Sequence, residues 1–218
     1  MNKKQSKWTS GFTIVELMIA TTIVSIILVT VTTVMIGIQR LYYKGVNQEQ
    51  VQNNVRAVTD QVTQEIQFSG GTSVIPASQS FGSYTVKANC IGSVRYLYII
   101  GLEVGTDIKH ALWRDTTPQT GCNPPAIGLP DIGSITNLND GGFEYIPSGS
   151  RLTDFEINAN INDSTSYDIY VSIAVGTIDQ LNLNPGANND YNATCKGITG
   201  DQYCATARLQ TEVQQRLQ

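Results

Sequence analysis

Side chains that carry catalysis or bind metals are scarce in this chain. It has one histidine, His110, among 218 residues, and its four cysteines include no C-x-x-C pair. No G-x-S-x-G, H-E-x-x-H or phosphate-binding glycine loop occurs. His110 has no evident catalytic partners and is expected at a strand start beside Trp113. An enzyme is not expected, nor is a cofactor or a metal. Charge is also sparse, at 15% of residues against 41% hydrophobic, which excludes both a disordered tail and a many-pass membrane protein. The first proline is Pro76, so nothing before it interrupts a helix in the way proline does.

The charges that exist are unevenly placed. Residues 1–11, MNKKQSKWTSG, are polar and hold Lys3, Lys4 and Lys7 without an acid. Without those lysines the basic count falls from 14 to 11 against 18 acids, a net charge of −7. An acidic remainder has no general attraction to nucleic acid. From Phe12 to Ile38 the only charge is Glu16. As a helix these residues extend roughly 40 Å at ~1.5 Å each, enough for a ~30 Å hydrocarbon core. A secretory signal would be shorter, with a small-residue cleavage site after the apolar run. A plain anchor leaves Glu16 unexplained, because a carboxylate within a span costs a few kcal/mol or more and marks a functional position. On a helix Glu16 would share a face with Phe12, four residues earlier.

Gly11-Phe12-Thr13-Ile14-Val15-Glu16-Leu17, behind a basic leader and opening a long apolar run, resembles the class III signal of type IV prepilins and type II secretion pseudopilins. The resemblance implies cleavage after Gly11 by a membrane prepilin peptidase/methyltransferase and N-methylation of Phe12. It also implies retention of the helix and pairing of Glu16 with the α-amine of a neighbouring subunit. The implied partners are other pilins in a filament, the inner-membrane assembly platform and membrane lipid. The implied location is the cytoplasmic (inner) membrane, crossed once, with the head outside the cytoplasm and incorporated into an extracellular or periplasmic filament. Tyr42 and Tyr43 suit the outer membrane–water boundary. Major pilins usually kink the span with a proline, which this chain lacks there.

The expected organisation is a leader (1–11), a transmembrane and filament-core helix (12–38), an amphipathic continuation (39–71) and a β-rich head (72–218). Val51, Val55, Val58, Val62 and Ile66 form one apolar stripe on the continuation, which Ser69-Gly70-Gly71 ends. In the head, period-two alternation predicts a buried strand over Val94–Val104 and a returning partner over His110–Arg114. It also predicts a hairpin of Phe155–Ile161 with Tyr167–Val175. Residues 116–142 and 179–203 are expected as loops. Residues 205–217 fit a strand better than a helix, although Leu209, Val213 and Leu217 also keep helical spacing. The layout is α+β: a long N-terminal α-helix packed on an antiparallel β-sheet head. Residues 55–71, VRAVTDQVTQEIQFSGG, and HALWR at 110–114 are similar to segments of the larger minor pilins and minor pseudopilins.

With the head outside the cytoplasm, disulfides would persist. Cys90, Cys122, Cys195 and Cys204 allow three pairings. Cys90–Cys122 and Cys195–Cys204 are favoured because each brackets a loop-rich stretch. By loop entropy each would contribute roughly 3–4 kcal/mol. The Asn/Asp-rich stretch 182–192 lacks an EF-hand pattern. Asn162-Asp-Ser and Asn192-Ala-Thr match a glycosylation sequon. The head's size and long loops favour a minor subunit of a type IV pilus. The alternatives are a pseudopilin of a type II secretion system and, third, a membrane-anchored binding module. In the family the tip-most pseudopilin often lacks the glutamate, so Glu16 points to a position below that tip.

Overall fold

The structure is a computed structural model that describes residues 11–69, 74–81, 84–105, 110–115, 122, 142–160, 163, 165–185, 191–197 and 200–216. It is α+β. The long helix α1 spans Ile14–Phe68, and the chain divides between Tyr42 and Tyr43 into two compact units. In the first unit α1 is exposed along its whole length. None of its apolar side chains is buried among the described residues. The hydroxyls of Thr21, Thr22, Ser25, Thr30, Thr32 and Thr33 donate to carbonyls three or four residues back, at 2.7–3.0 Å. A hydroxyl folded back on its own helix carries no unsatisfied donor into an apolar medium.

The second unit begins with the amphipathic part of α1. Val51, Val55, Val58, Val62 and Ile66 are each at most 2% exposed. They form one cluster with Tyr96, Leu112, Leu152, Phe155, Ile169, Val171 and Ile173 from the strands. Burying five such side chains stabilises the unit by roughly 1.5–3 kcal/mol apiece. Thr59 interrupts the stripe, buried, and donates to the Val55 carbonyl at 2.8 Å. The helix stops at Phe68, and the Ser69 hydroxyl and amide both donate to the Ile66 carbonyl. Gly70 and Gly71 lie outside the described residues.

Among the described residues ten strands follow: β1 (Ile75–Phe81), β2 (Tyr84–Ile91), β3 (Val94–Tyr98), β4 (Leu112–Asp115), β5 (Phe143–Glu144), β6 (Ser150–Ala159), β7 (Ser166–Val175), β8 (Leu181–Pro185), β9 (Tyr191–Cys195) and β10 (Ala205–Gln214). β1 to β5 form an antiparallel meander in sequence order. β7 is the centre of a second antiparallel sheet between β10 and β6, and β8 pairs with β9.

Several expectations hold. β4 returns against β3, with Leu97 opposite Trp113. β6 and β7 form the second hairpin, with Phe155 opposite Val171. The C-terminal segment is a strand, pairing along β7 from Ala205↔Val175 to Gln214↔Ser166. Helical spacing loses there because a full ladder partner is available.

Three expectations are corrected. The buried strand over 94–104 ends at Tyr98, because Gly101 takes φ 86 and turns the chain. Beyond it the chain leaves β4 for β6: the Gly101 amide donates to the Leu152 carbonyl, the Val104 amide to that of Ser150, and Glu103 pairs with Arg151. This transfer between sheets explains why residues 94–104 are apolar on both faces. Residues 179–203 are not wholly a loop. They hold the β8–β9 hairpin and a 3-10 turn at Asp201–Tyr203, with Leu181 and Ala193 buried against Ala174 and Cys204. Residues 75–81 and 84–91, given no strand from the sequence, pair as β1 and β2.

Of the loop expected over 116–142, only Cys122 and Gly142 are described. The ring of Trp113 occupies the place a side chain at position 142 would need. Cys90 pairs with Cys122 and Cys195 with Cys204, across sequence separations of 32 and 9. These are the pairings that the loop argument favours, and they leave no described cysteine free.

Buried charges in this unit are paired. Arg95 meets Asp115 at 2.5 Å across the β3–β4 register. Arg151, 4% exposed, donates to the Gly101 and Gly176 carbonyls and to Glu103. Arg114 is paired with Glu65 of α1. An unpaired charge at such depth costs several kcal/mol, so these partners are conditions of the fold rather than additions to it.

Candidate functional site

The residues singled out at the N-terminus can now be placed. Gly11 and Phe12 precede the helix, and Phe12 is 84% exposed. Among the described residues nothing lies within 4 Å of where a Gly11 side chain would begin, which leaves the junction open on their side. α1 starts at Ile14, one residue after Thr13. Phe12 is therefore outside the helix, and the expectation that it shares a helical face with Glu16 does not hold in this structure.

The residue facing Glu16 is Thr13. The Thr13 amide and hydroxyl both donate to Glu16 Oε2 at 2.9 Å, and the Glu16 amide donates to Thr13 Oγ1 at 3.2 Å. The Leu17 amide donates to the Thr13 carbonyl at 3.2 Å, closing the first turn. This is a reciprocal capping box: the N-cap threonine satisfies an N3 amide while the N3 glutamate satisfies the N-cap amide. A helix otherwise leaves its first amides without partners, and in hydrocarbon each would cost several kcal/mol. The carboxylate also lies at the positive end of the helix dipole. The spacing Thr-x-x-Glu could have disclosed the cap from the sequence.

The N-terminal segment presents a Gly-Phe junction, an exposed aromatic residue and an anionic group whose one oxygen already accepts two local bonds. Glu16 Oε1 accepts no bond within the described residues, so it can meet a cation from outside the chain. Beyond it α1 is long and apolar enough to cross a membrane once. The two disulfides fit an oxidising compartment for the second unit.

The remaining candidates fall in the second unit. His110 stands 4.4 Å from Trp113 in an edge contact, with Nδ1 3.4 Å from Glu144 Oε2. Glu144 is itself committed to structure, accepting the amides of Ala111, Leu112 and Ile146 at 2.8–3.1 Å. Burial pushes the Tyr96 and Tyr145 hydroxyls up from the ordinary tyrosine range. Arg114 loses something to burial, but the Glu65 carboxylate more than offsets it and holds the guanidinium charged. At the exposed turn before β7, Asp163 accepts from the Thr165 hydroxyl and amide, which draws its carboxyl below the usual range.

Among the described residues no group of three or more His, Cys, Asp or Glu could hold a metal ion. The stretch 182–192 is divided between β8, β9 and residues outside the described set. Asn162 also lies outside it, and Asn192 lies in β9. Compared with protein-family models, with curated proteins and with solved structures, the chain finds no match.

Proposed function

We propose that this chain is a minor structural subunit of a type IV pilus, processed after Gly11 and assembled through α1. The observation that carries the reading is a lone carboxylate, Glu16, in the first turn of an exposed apolar helix, directly behind an open Gly11–Phe12 junction. Cleavage there would create an α-ammonium on Phe12. Stacking of subunits would bring that cation to the Glu16 of a neighbour, and the pair would offset part of the cost of burying either charge. The exposed apolar surface of residues 14–38 would be covered first by lipid and then by the same surface of other subunits. In this reading the chain has no catalytic residues, and its partners are the prepilin peptidase/methyltransferase, the inner-membrane assembly platform and other pilins.

The capping box makes the test sharper than removal of a charge alone. Glu16→Leu removes both the cap and the charge. Glu16→Gln keeps an acceptor for the Thr13 amide but removes the charge. Both variants should be cut after Gly11, seen as a mature mass beginning at N-methylated Phe12. Both should be depleted from sheared filaments. Normal incorporation of Glu16→Gln would reduce Glu16 to a helix cap and overturn the pairing. A chain that keeps residues 1–11 in cells containing the peptidase would overturn the family reading itself. Recovery with an outer-membrane secretin and secretion components, instead of with a pilus, would assign the chain to a type II secretion pseudopilus.

A further inference from the structure

The 3-10 turn that ends the Cys195–Cys204 loop is fastened to the first residues of the second unit. The Tyr203 ring lies 5.8 Å from that of Tyr43. Asn47 Nδ2 donates to the Gln202 carbonyl at 3.2 Å, and Gln48 Nε2 donates to the Thr206 carbonyl at 3.2 Å. From the other side Cys204 is buried, disulfide-bonded to Cys195 and followed directly by β10. The Tyr203 amide donates to the Gly200 carbonyl at 2.9 Å, which closes the turn. Tyr203 is thus held in place by bonds on both flanks.

The fastening is not explained by burial. Tyr43 and Tyr203 remain 48% and 49% exposed, and Val46 beside them 42%. Ile178 is 64% exposed on a turn of the same small subdomain, next to Gln180, whose carbonyl accepts the Lys196 amide. Half-exposed rings with a polar hydroxyl end and an apolar body match the layer between lipid tails and water.

Tyr43 cannot be far from that layer if residues 12–38 span a membrane. It is five residues beyond Ile38, which is about 7.5 Å along a helix and at most ~18 Å for any backbone conformation. The polar layer on each side of the hydrocarbon is itself about 5–8 Å deep. Whatever the angle between the two units, Tyr203 is carried to the same zone as Tyr43.

We infer that the Cys195–Cys204 subdomain is a membrane-surface contact, in which Tyr203 and Tyr43 form one aromatic anchor at the lipid headgroup layer of the subunit before assembly. The inference rests on residues 12–38 being a membrane span, which the proposed function also requires. The disulfide and the two α1 side-chain bonds then have a purpose beyond stability. They carry a residue from the far end of the chain to the point where the anchor leaves the bilayer.

The test uses the full chain in phosphatidylcholine/phosphatidylglycerol vesicles, with a photoreactive phenylalanine (benzoylphenylalanine) placed singly. The positions are 28 in the apolar run, 203, and 143, an exposed aromatic site on β5. Lipid adducts should form at 28 and 203, with the yield at 203 several-fold above that at 143. Adducts at 28 but not at 203 would overturn the surface contact and leave the anchor intact. Crosslinks from 203 to a second copy of the chain, without lipid adducts, would also overturn it and make this surface a subunit interface. Absence of adducts at 28 would overturn the anchor, and the contact with it. Formation of both disulfides, read by intact mass, confirms that each substituted chain has folded.

Discussion

The two halves of α1 obey opposite rules. From Leu17 to Ile38 the helix carries no charge and is exposed on all sides, and its hydroxyls are turned back onto its own carbonyls. After Tyr43 it is polar on most of its surface and buries a single stripe to at most 2% exposure. One continuous helix is therefore written for two solvents. The first half suits a medium without water, where a polar group must be satisfied locally. The second suits water on one face and a protein core on the other. Both differences are written in the sequence: apolar residues all round in the first half, and an apolar stripe of helical period on a polar background in the second.

The largest break in this comparison comes from placing one charge in each half. Val58 sits within the stripe at 1% exposure. Val58→Asp would leave a carboxylate among valines without a partner, a loss of roughly 4–5 kcal/mol or more, which is a large part of a typical domain's stability. The second unit should fail to fold, read as loss of its two correct disulfides by mass mapping. Membrane insertion should be unaffected. Ile27→Asp should do the reverse, with insertion weakened by roughly 2.5–3.5 kcal/mol and the second unit folding normally. Equal loss of the disulfides in both variants would refute the division of labour.

A smaller effect sharpens the buried side of the comparison. Tyr96 is fully buried in the cluster that α1 completes, and burial holds its hydroxyl protonated well above the ordinary range. In the unfolded chain it would ionise near pH 10. Its folded pKa is raised, so its contribution is fully present below about pH 10 and is lost as pH rises beyond that. At pH 11 the loss should be about 1.4 kcal/mol, the linkage value for one unit above the unfolded pKa. Tyr96→Phe should show that much less alkaline destabilisation in denaturant titrations at pH 8 and pH 11. An identical pH dependence in the two proteins would mean that Tyr96 ionises in the fold.

Legibility from the sequence follows the same line. The stripe from Val51 to Ile66, the β6–β7 hairpin and β10 are all readable, because each repeats its period over seven or more residues and has a partner to complete it. β1–β2 and β8–β9 are not, because residues such as Ser78-Gln79-Ser80 and Asn182-Leu183-Asn184 have the composition of loops. Their strands exist through pairing, as in Leu181 opposite Cys195, rather than through their own preference. The strand over 94–104 was overextended because alternation continues through Gly101, and a positive φ leaves no mark on hydropathy. At the N-terminus the lone carboxylate was plain. Its use by Thr13 was equally legible as Thr-x-x-Glu, but a charge in an apolar run also has an intermolecular reading, and spacing does not choose between them.

The smallest expected effect lies at that cap. In the second half of α1, Thr59 donates to a carbonyl inside a packed core, so neighbours hold the turn even if its hydroxyl is lost. Thr13 has no such neighbours among the described residues. Its hydroxyl and amide, with Glu16, hold the first turn by themselves. Thr13→Ala should therefore cost about 1 kcal/mol, the usual value of an N-cap, and this should appear as fraying of the first turn alone. Amide hydrogen exchange at Val15, Glu16 and Leu17 in detergent micelles should quicken roughly fivefold, while the amides around Val58 stay unchanged. Thr13→Ser keeps the acceptor and the donor and should exchange like the parent. If the first turn stays as protected in Thr13→Ala, something other than the capping box holds it. In the proposed assembly Glu16 would then offer both of its oxygens to a cation, rather than Oε1 alone with Oε2 engaged by Thr13.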